Sequence, residues 1–337
     1  MNTSPCTLKN GRHSGNRTRP RLIFLRSFSP SDRARLLQRL ASCYDIIEPT
    51  AYDDDTLAAL IKDADVALGV TITPKVLAAA ERLRYVQTPG TGVDMLDLSA
   101  LAARGVIVCK STSHAPQVAE HAVAMLLTLM RKVALHDRLL RTGVWYRPKG
   151  GPEDDLYQAD SLMGTVVGLV GYGAINQTVA KLLSGFDVEI LLYAHHTYPG
   201  MNMTPLTDMM RQAKAVIVAV PLTADTRGMI GATELNAGNP GPYLVNVGRA
   251  EVIERGALLK ALTQRSIRGA ALDVPYAGVD VTEGLADFAR FDNAIVSAHR
   301  AGTVRGASPH LTDVIDNLVA FAKRLPLKNI VNCSAGY

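Results

Sequence analysis

The stretch "VGLVGYGAINQTVAKLLSGFDVEILLYAHH", residues 167–196, decides the fold. A short apolar run ends at Gly171 and Gly173 follows it, the opening of a G-x-G-x-x-G strand–turn–helix, which receives a dinucleotide pyrophosphate on a helix N-terminus. The first glycine makes the tight turn, the second admits the phosphates, and the third sets helix–strand packing. Here the third position holds Asn176. It is expected to strain or shift the helix slightly without abolishing binding. Ala174 brings no side chain to a phosphate. The next strand ends in Ala194-His195-His196-Thr197, where an acid would accept the 2′-hydroxyl of NAD and repel the 2′-phosphate of NADP. Two imidazoles and a hydroxyl offer no such repulsion. NADP is therefore expected ahead of NAD, unless both histidines point into solvent and discrimination is simply lost.

Working outward, the same alternation of apolar runs and helical patterns continues. TVVGLVG (165–171), VEILLYA (188–194), AVIVAVP (215–221), YLVNVG (243–248), GAALDV (269–274) and NAIVSA (293–298) read as six strands of a doubly wound sheet. Upstream, RLIFLRS (21–27), ADVALGV (64–70), RLRYVQT (82–88) and VIVCKS (106–111) read as a second parallel series. A long helical pattern from Pro116 to about Arg141 is expected to connect the two. The amphipathic stretch SPHLTDVIDNLVAFAKRL (308–325) has no place in the later series and is expected to return to the first. The fold class expected is α/β: two doubly wound parallel-sheet domains, a Rossmann cofactor domain and a discontinuous flavodoxin-like substrate domain, with a cleft between them. Their expected limits are 118–303 for the first, and 21–117 plus 304–337 for the second.

The net charge of +5 over 337 residues looks like an invitation to nucleic acid, but Lys9, Arg12, Arg17, Arg19, Arg21 and Arg26 supply +6 within 1–31, leaving −1 for the rest. The basic residues belong mostly to a tail over 1–20 that is almost without apolar side chains and is expected to be disordered. No aromatic interleaving accompanies the charge, so no nucleic-acid partner is expected. Apolar runs such as AVAMLLTLM (122–130) are too short to span a bilayer. Four scattered cysteines, at 6, 43, 109 and 333, suggest neither a disulfide framework nor a metal site, and a cytoplasmic setting is the default.

The words GTGVD (90–94), VAEHA (118–122), GYGAI (171–175), VPLTADTRGMI (220–230), VNVGRAEVIERGALLKAL (245–262), ALDV (271–274) and SAHRAG (297–302) follow one another in a telling order. That order and spacing resembles the D-isomer-specific 2-hydroxyacid dehydrogenases, over about residues 21–335. The resemblance implies reversible hydride transfer between nicotinamide C4 and C2 of a 2-hydroxy or 2-oxo acid. Such chemistry needs a proton donor beside the carbonyl oxygen, and His299 stands at the family's acid/base position. It needs a two-donor cation for the substrate carboxylate, and Arg249 is the residue nominated. Thr91 and Gly92 would add backbone N–H groups to the same carboxylate.

The family's glutamate partner to the histidine is displaced or lost in this chain. Asp280 is the first choice for that partner, Glu283 the second, and no carboxylate the third. The resemblance further assigns to the cofactor Gly171, Gly173, Ala174, Ile175, His195, His196, Pro221, Thr226, Val247, Asp273 and Gly302, with Asp273 on the nicotinamide carboxamide. Substrate side chains would be met by Thr88, Pro89 and His114 and by the segment 275–284, which opens with Pro275 and Tyr276. A homodimer through the cofactor domain is expected. The rival reading is a nicotinamide-sensing binding protein of the same fold, like the family's corepressors.

Overall fold

The computed structural model describes residues 18–147, 149–151, 154, 157–274, 276, 286–288, 290–306 and 308–337. Most of the basic tail lies outside these, as do Asp280 and Glu283, so those expectations fall outside the described residues.

Two parallel sheets carry the described chain. The first holds β1 (Arg21–Phe24), β2 (Asp45–Ile47), β3 (Val66–Leu68), β4 (Tyr85–Gln87) and β5 (Ile107–Cys109), in the order β2-β1-β3-β4-β5. The second holds β6 (Val166–Val170), β7 (Glu189–Tyr193), β8 (Asn202–Met203), β9 (Ala215–Val218), β10 (Gly241–Asn246), β11 (Ile267–Leu272) and β12 (Ala294–Val296), in the order β12-β11-β10-β9-β6-β7-β8. Every strand pairing in both sheets is parallel. These are the flavodoxin-like and Rossmann orders, each reversing direction beside its first strand, and ligands lie at the carboxyl ends of strands at such a reversal.

Both sheets are covered on two faces, which is why their central strands read as unbroken apolar runs. Val167 and Leu169 of β6 belong to one core with Ala122, Leu126 and Met130, while Val170 belongs to the opposite core with Met209, Leu244 and Leu258. Polar caps start several helices of the first sheet's layers: Ser29 accepts from the Asp32 N–H, Asp53 from Thr56 and Asp97 from Ala100. The helix Leu311–Ala322 lays Leu311, Val314, Ile315 and Leu318 against Leu22, Phe24 and Leu36 of the first sheet's layers.

The long helix expected from Pro116 breaks in two. Ala115–Met130 is one helix and Val133–Arg141 another, with Lys132 between them in the left-handed region at φ 53°. The first is buried along most of its length and the second has no buried residue. The Met130 carbonyl accepts from the Asp160 N–H at 3.0 Å, a tertiary bond in place of continued helix. β2 and β8 were also unexpected additions, both short strands at sheet edges.

Candidate functional site

Gly171 ends β6 with φ 84°, and a Cβ there would lie 2.7 Å from Val220 Cγ1 and 3.0 Å from the Ala219 carbonyl oxygen. Only glycine fits this turn. At Gly173 a Cβ would meet nothing within 4 Å, so the space beside the turn is open to a ligand. The helix Ala174–Leu183 starts there, its first N–H groups left without intrahelical partners, as an anion requires. The turn therefore fits a dinucleotide pyrophosphate. Ala174 is exposed and Ile175 packs against the core beneath.

Asn176 corrects its sequence reading. It is fully buried, and its Nδ2 donates to the Val170 carbonyl at 3.0 Å and the Gly171 carbonyl at 2.8 Å. The carboxamide ties helix to strand by hydrogen bonds where a third glycine would do so by close approach. Beyond β7, His195 and His196 are both exposed on the bend that follows. Thr226 is buried, accepting from the Thr223 N–H at 2.8 Å and donating to the Pro221 carbonyl at 2.7 Å. Its hydroxyl is engaged within the loop after β9 and holds Pro221 exposed at the sheet's carboxyl edge. Val247, after β10, is buried.

Arg249 follows β10 and reaches across to the loop after β4. Its Nε donates to Asp94 Oδ1 at 3.1 Å, its Nη2 lies 3.0 Å from the same oxygen in an ion pair, and its Nη1 donates to the Gly248 carbonyl at 2.9 Å. A Cβ on Gly92 would stand 1.6 Å from Nη2, so the guanidinium lies directly on the Gly92 backbone. Thr91 is held to the Ser111 carbonyl through its hydroxyl at 3.0 Å. The sequence reading thus brought Thr91, Gly92 and Arg249 to one place. It passed over Asp94, although Asp94 ends the quoted word GTGVD.

His299 follows β12, exposed and in the left-handed region at φ 53°. The turn around it is fixed by Asp273, which is 1% exposed. That carboxylate accepts from Ser297 Oγ at 2.6 Å, from the Arg300 N–H at 2.8 Å and from the Ala301 N–H at 3.1 Å. His121 Nε2 lies 3.1 Å from the same serine hydroxyl and 3.7 Å from Asp273. In this structure Asp273 therefore acts on the histidine's turn, whatever it does for a carboxamide.

A second histidine pair completes the site. The His114 and His310 rings meet tilted at 34° with centroids 3.9 Å apart, and a Cβ on Gly302 would lie 3.2 Å from His114 and 3.1 Å from His310. Burial pushes the His114 imidazole down to about 3, helped by His310, Arg249 and His299 nearby. His310 is lowered for the same leading reason. His310 has no signal in the sequence, because nothing local links it to His114. Two other expectations change. Thr88 is fully buried and donates to the Gly90 carbonyl at 2.7 Å, shaping the turn from beneath. Tyr276 is buried in the second sheet's core, donating to the Ile253 carbonyl at 3.2 Å, so it does not face a substrate.

The depressed His114 has a measurable consequence. Between about pH 3 and its unfolded value near 6.5, the folded chain binds fewer protons than the unfolded chain, so stability falls as pH drops through that window. His114→Gln should flatten the fall in melting temperature between about pH 7 and pH 5, since one buried imidazole is worth at most about 1.4 kcal/mol per pH unit. Parallel melting curves for variant and wild type would show that His114 does not stay neutral on folding.

Comparison with known proteins agrees with this geometry. Residues 123–301 match the family described as D-isomer specific 2-hydroxyacid dehydrogenase, NAD binding domain. The D-3-phosphoglycerate dehydrogenase of Mycobacterium tuberculosis is 32% identical over 279 residues, 79% of this chain and 51% of that protein, so the chain spans about half its length. The glyoxylate reductase of Pyrococcus furiosus is 30% identical over 284 residues, 80% of this chain and 82% of that protein. The crystal structure of an NADPH-dependent glyoxylate/hydroxypyruvate reductase from Sinorhizobium meliloti, with NADP and malonate, superposes with a TM-score of 0.80 at 29% identity, covering 94% of this chain and 98% of that one. With a strand-to-helix glycine turn, an arginine seated on a loop of the first sheet and a histidine turn, all at carboxyl ends of the second sheet's strands, and with these relatives, the chain belongs to the D-isomer specific 2-hydroxyacid dehydrogenase family.

Proposed function

We propose that the protein is an NAD(P)-dependent 2-oxoacid reductase, or 2-hydroxyacid dehydrogenase, specific for the D-isomer. The observation that carries this reading is the Arg249 guanidinium seated on the Gly92 backbone, next to Thr91, whose hydroxyl lies 3.4 Å from His114 Nε2. The second sheet's body, over 118–303, would bind the cofactor, and the first, over 21–117 plus 304–337, would bind the acid. Gly171, Gly173 and the N–H groups opening Ala174–Leu183 would hold the pyrophosphate, with Ile175, Pro221, Val247 and Gly302 around the rest of the dinucleotide. When bound, the nicotinamide supplies the hydride that C2 receives.

Arg249 and the Thr91–Gly92 turn would hold the substrate carboxylate and draw electron density from the adjacent carbonyl. His299 would give its proton to the oxygen that gains negative charge. Asp273 keeps the histidine's turn rigid through two backbone N–H groups, which fixes where that proton is delivered. Assembly as a homodimer is supported by the helix Val133–Arg141 and its sequel, where Val133, Leu140, Val144 and Trp145 are 47–72% exposed. No helix among the described residues is long and apolar enough to cross a membrane.

Beyond β7, Ala194-His195-His196-Thr197 holds no acid that would repel a 2′-phosphate, which supports NADPH over NADH, while the exposure of both histidines makes loss of discrimination the alternative outcome of the test. A panel of small 2-oxo acids assayed with each cofactor tests both points. Turnover of at least one acid is expected, with a lower KM for NADPH and a smaller gap in His195→Asp. Equal or better performance with NADH in the wild type would remove the cofactor preference, and oxidation of neither cofactor by any acid would remove the activity.

A further inference from the structure

Arg249 is the residue to which the proposed function gives the substrate carboxylate, yet two of its donors are already engaged. A guanidinium has five N–H groups in one plane, arranged as a side fork of Nε and Nη2, an end fork of Nη1 and Nη2, and one remaining Nη1 hydrogen. In this structure the side fork faces a single oxygen, Asp94 Oδ1: Nε donates to it at 3.1 Å and Nη2 lies 3.0 Å from it in the ion pair. Nη1 donates to the Gly248 carbonyl at 2.9 Å. One hydrogen on each of Nη1 and Nη2 is left for a further ligand, and Nη2 lies over Gly92, where a Cβ would be only 1.6 Å away.

We propose that Asp94 is a positioning residue for Arg249, holding the guanidinium by its side fork so that the end fork is presented at the Gly90–Gly92 turn. The inference rests on the proposed role of Arg249 and adds to it the group that sets its plane. Asp94 and Arg249 belong to loops of different sheets, after β4 and β10. The ion pair therefore fixes the arginine relative to the turn that is to share its ligand. Side-chain exposures of 29% for Arg249 and 22% for Asp94 leave the pair partly wet, so its value lies in orientation more than in stability. A carboxylate ligand does not need to displace Asp94: it needs two parallel donors, and the end fork supplies them.

Because one oxygen meets both Nε and Nη2, Asp94→Asn can keep the geometry through its carbonyl oxygen, whereas Asp94→Ala cannot. The experiment measures oxalate binding by calorimetry with NADPH present, and kcat and KM for the most active 2-oxo acid, in wild type and both variants. Asparagine is expected to stay close to wild type. Alanine is expected to weaken oxalate binding, raise KM for the acid and lower kcat/KM by on the order of 10²-fold, with the KM for NADPH unchanged. Tighter oxalate binding in Asp94→Ala would make Asp94 a competitor and overturn the proposal. So would a fall in melting temperature with unchanged oxalate binding, or asparagine no better than alanine, or a wild type that binds no oxalate. If the wild type binds oxalate but reduces no 2-oxo acid, the proposed activity alone fails and the oxalate series still decides the role of Asp94.

Discussion

His299→Asn is expected to lower turnover in the proposed 2-oxo acid reduction by about 10²–10⁴-fold, the range that positioned proton transfer contributes. Asparagine is the sharper replacement because the residue sits at φ 53°, where asparagine is tolerated better than alanine. The side chain is exposed and belongs to no apolar cluster, so melting temperature should hold within the scatter of surface substitutions. NADPH binding should hold as well, since the turn is kept by the buried Asp273 and not by the imidazole. Single-turnover rates in the two proteins make the comparison clean. Turnover near that of the wild type would take the proton-donor role away from His299.

Gly92→Ala should cripple the same reaction without replacing any side chain that has chemistry of its own. The introduced Cβ would stand 1.6 Å from Arg249 Nη2, 2.8 Å from its Cζ and 2.9 Å from Asp94 Oδ1. A flexible arginine tip can retreat from such a clash, so the protein still folds, but the guanidinium leaves its seat. A displacement of about 1 Å can cost about 10²-fold in rate. The expected result is a raised KM for the acid, a loss of that order in kcat/KM, and an unchanged KM for NADPH. Arg249→Ala should lose at least as much. An alanine at 92 with the wild-type KM would mean that the acid does not bind against this turn.

The second sheet was largely legible in advance because its central strands are covered on both faces and so are apolar without interruption. β2 and β8 were not, because three and two residues at a sheet edge carry no periodicity to read. The break at Lys132 was equally hidden: no glycine or proline marks it, and what differs across it is burial by distant parts of the chain. At the site, residues that sit at strand ends were found through the family's motif order, and Arg249, Gly92 and Thr91 do come together. Asn176 was misjudged since its value lies in two hydrogen bonds to carbonyls that only the fold places beside it. Asp94 reads in sequence as an ordinary loop acid, and His310 as part of an amphipathic helix entry. Their partners lie 155 residues away for Asp94 and across the whole second sheet for His310.

The facing rings of His114 and His310 also bear on how the protein can move. The chain leaves the first sheet's layers near His114 and comes back near Gly302 and His310, and the two passages touch where the imidazoles meet. Two tethers side by side act like a door hinged along one edge: they allow swinging about a common line and resist sliding. The Asp94–Arg249 contact lies close to that line, because Thr91, next to the Gly92 on which Arg249 rests, is 3.4 Å from His114 Nε2. A swing about the histidines would therefore change the gap at Arg249 little, while parts of the two sheets farther from the joint would separate the most.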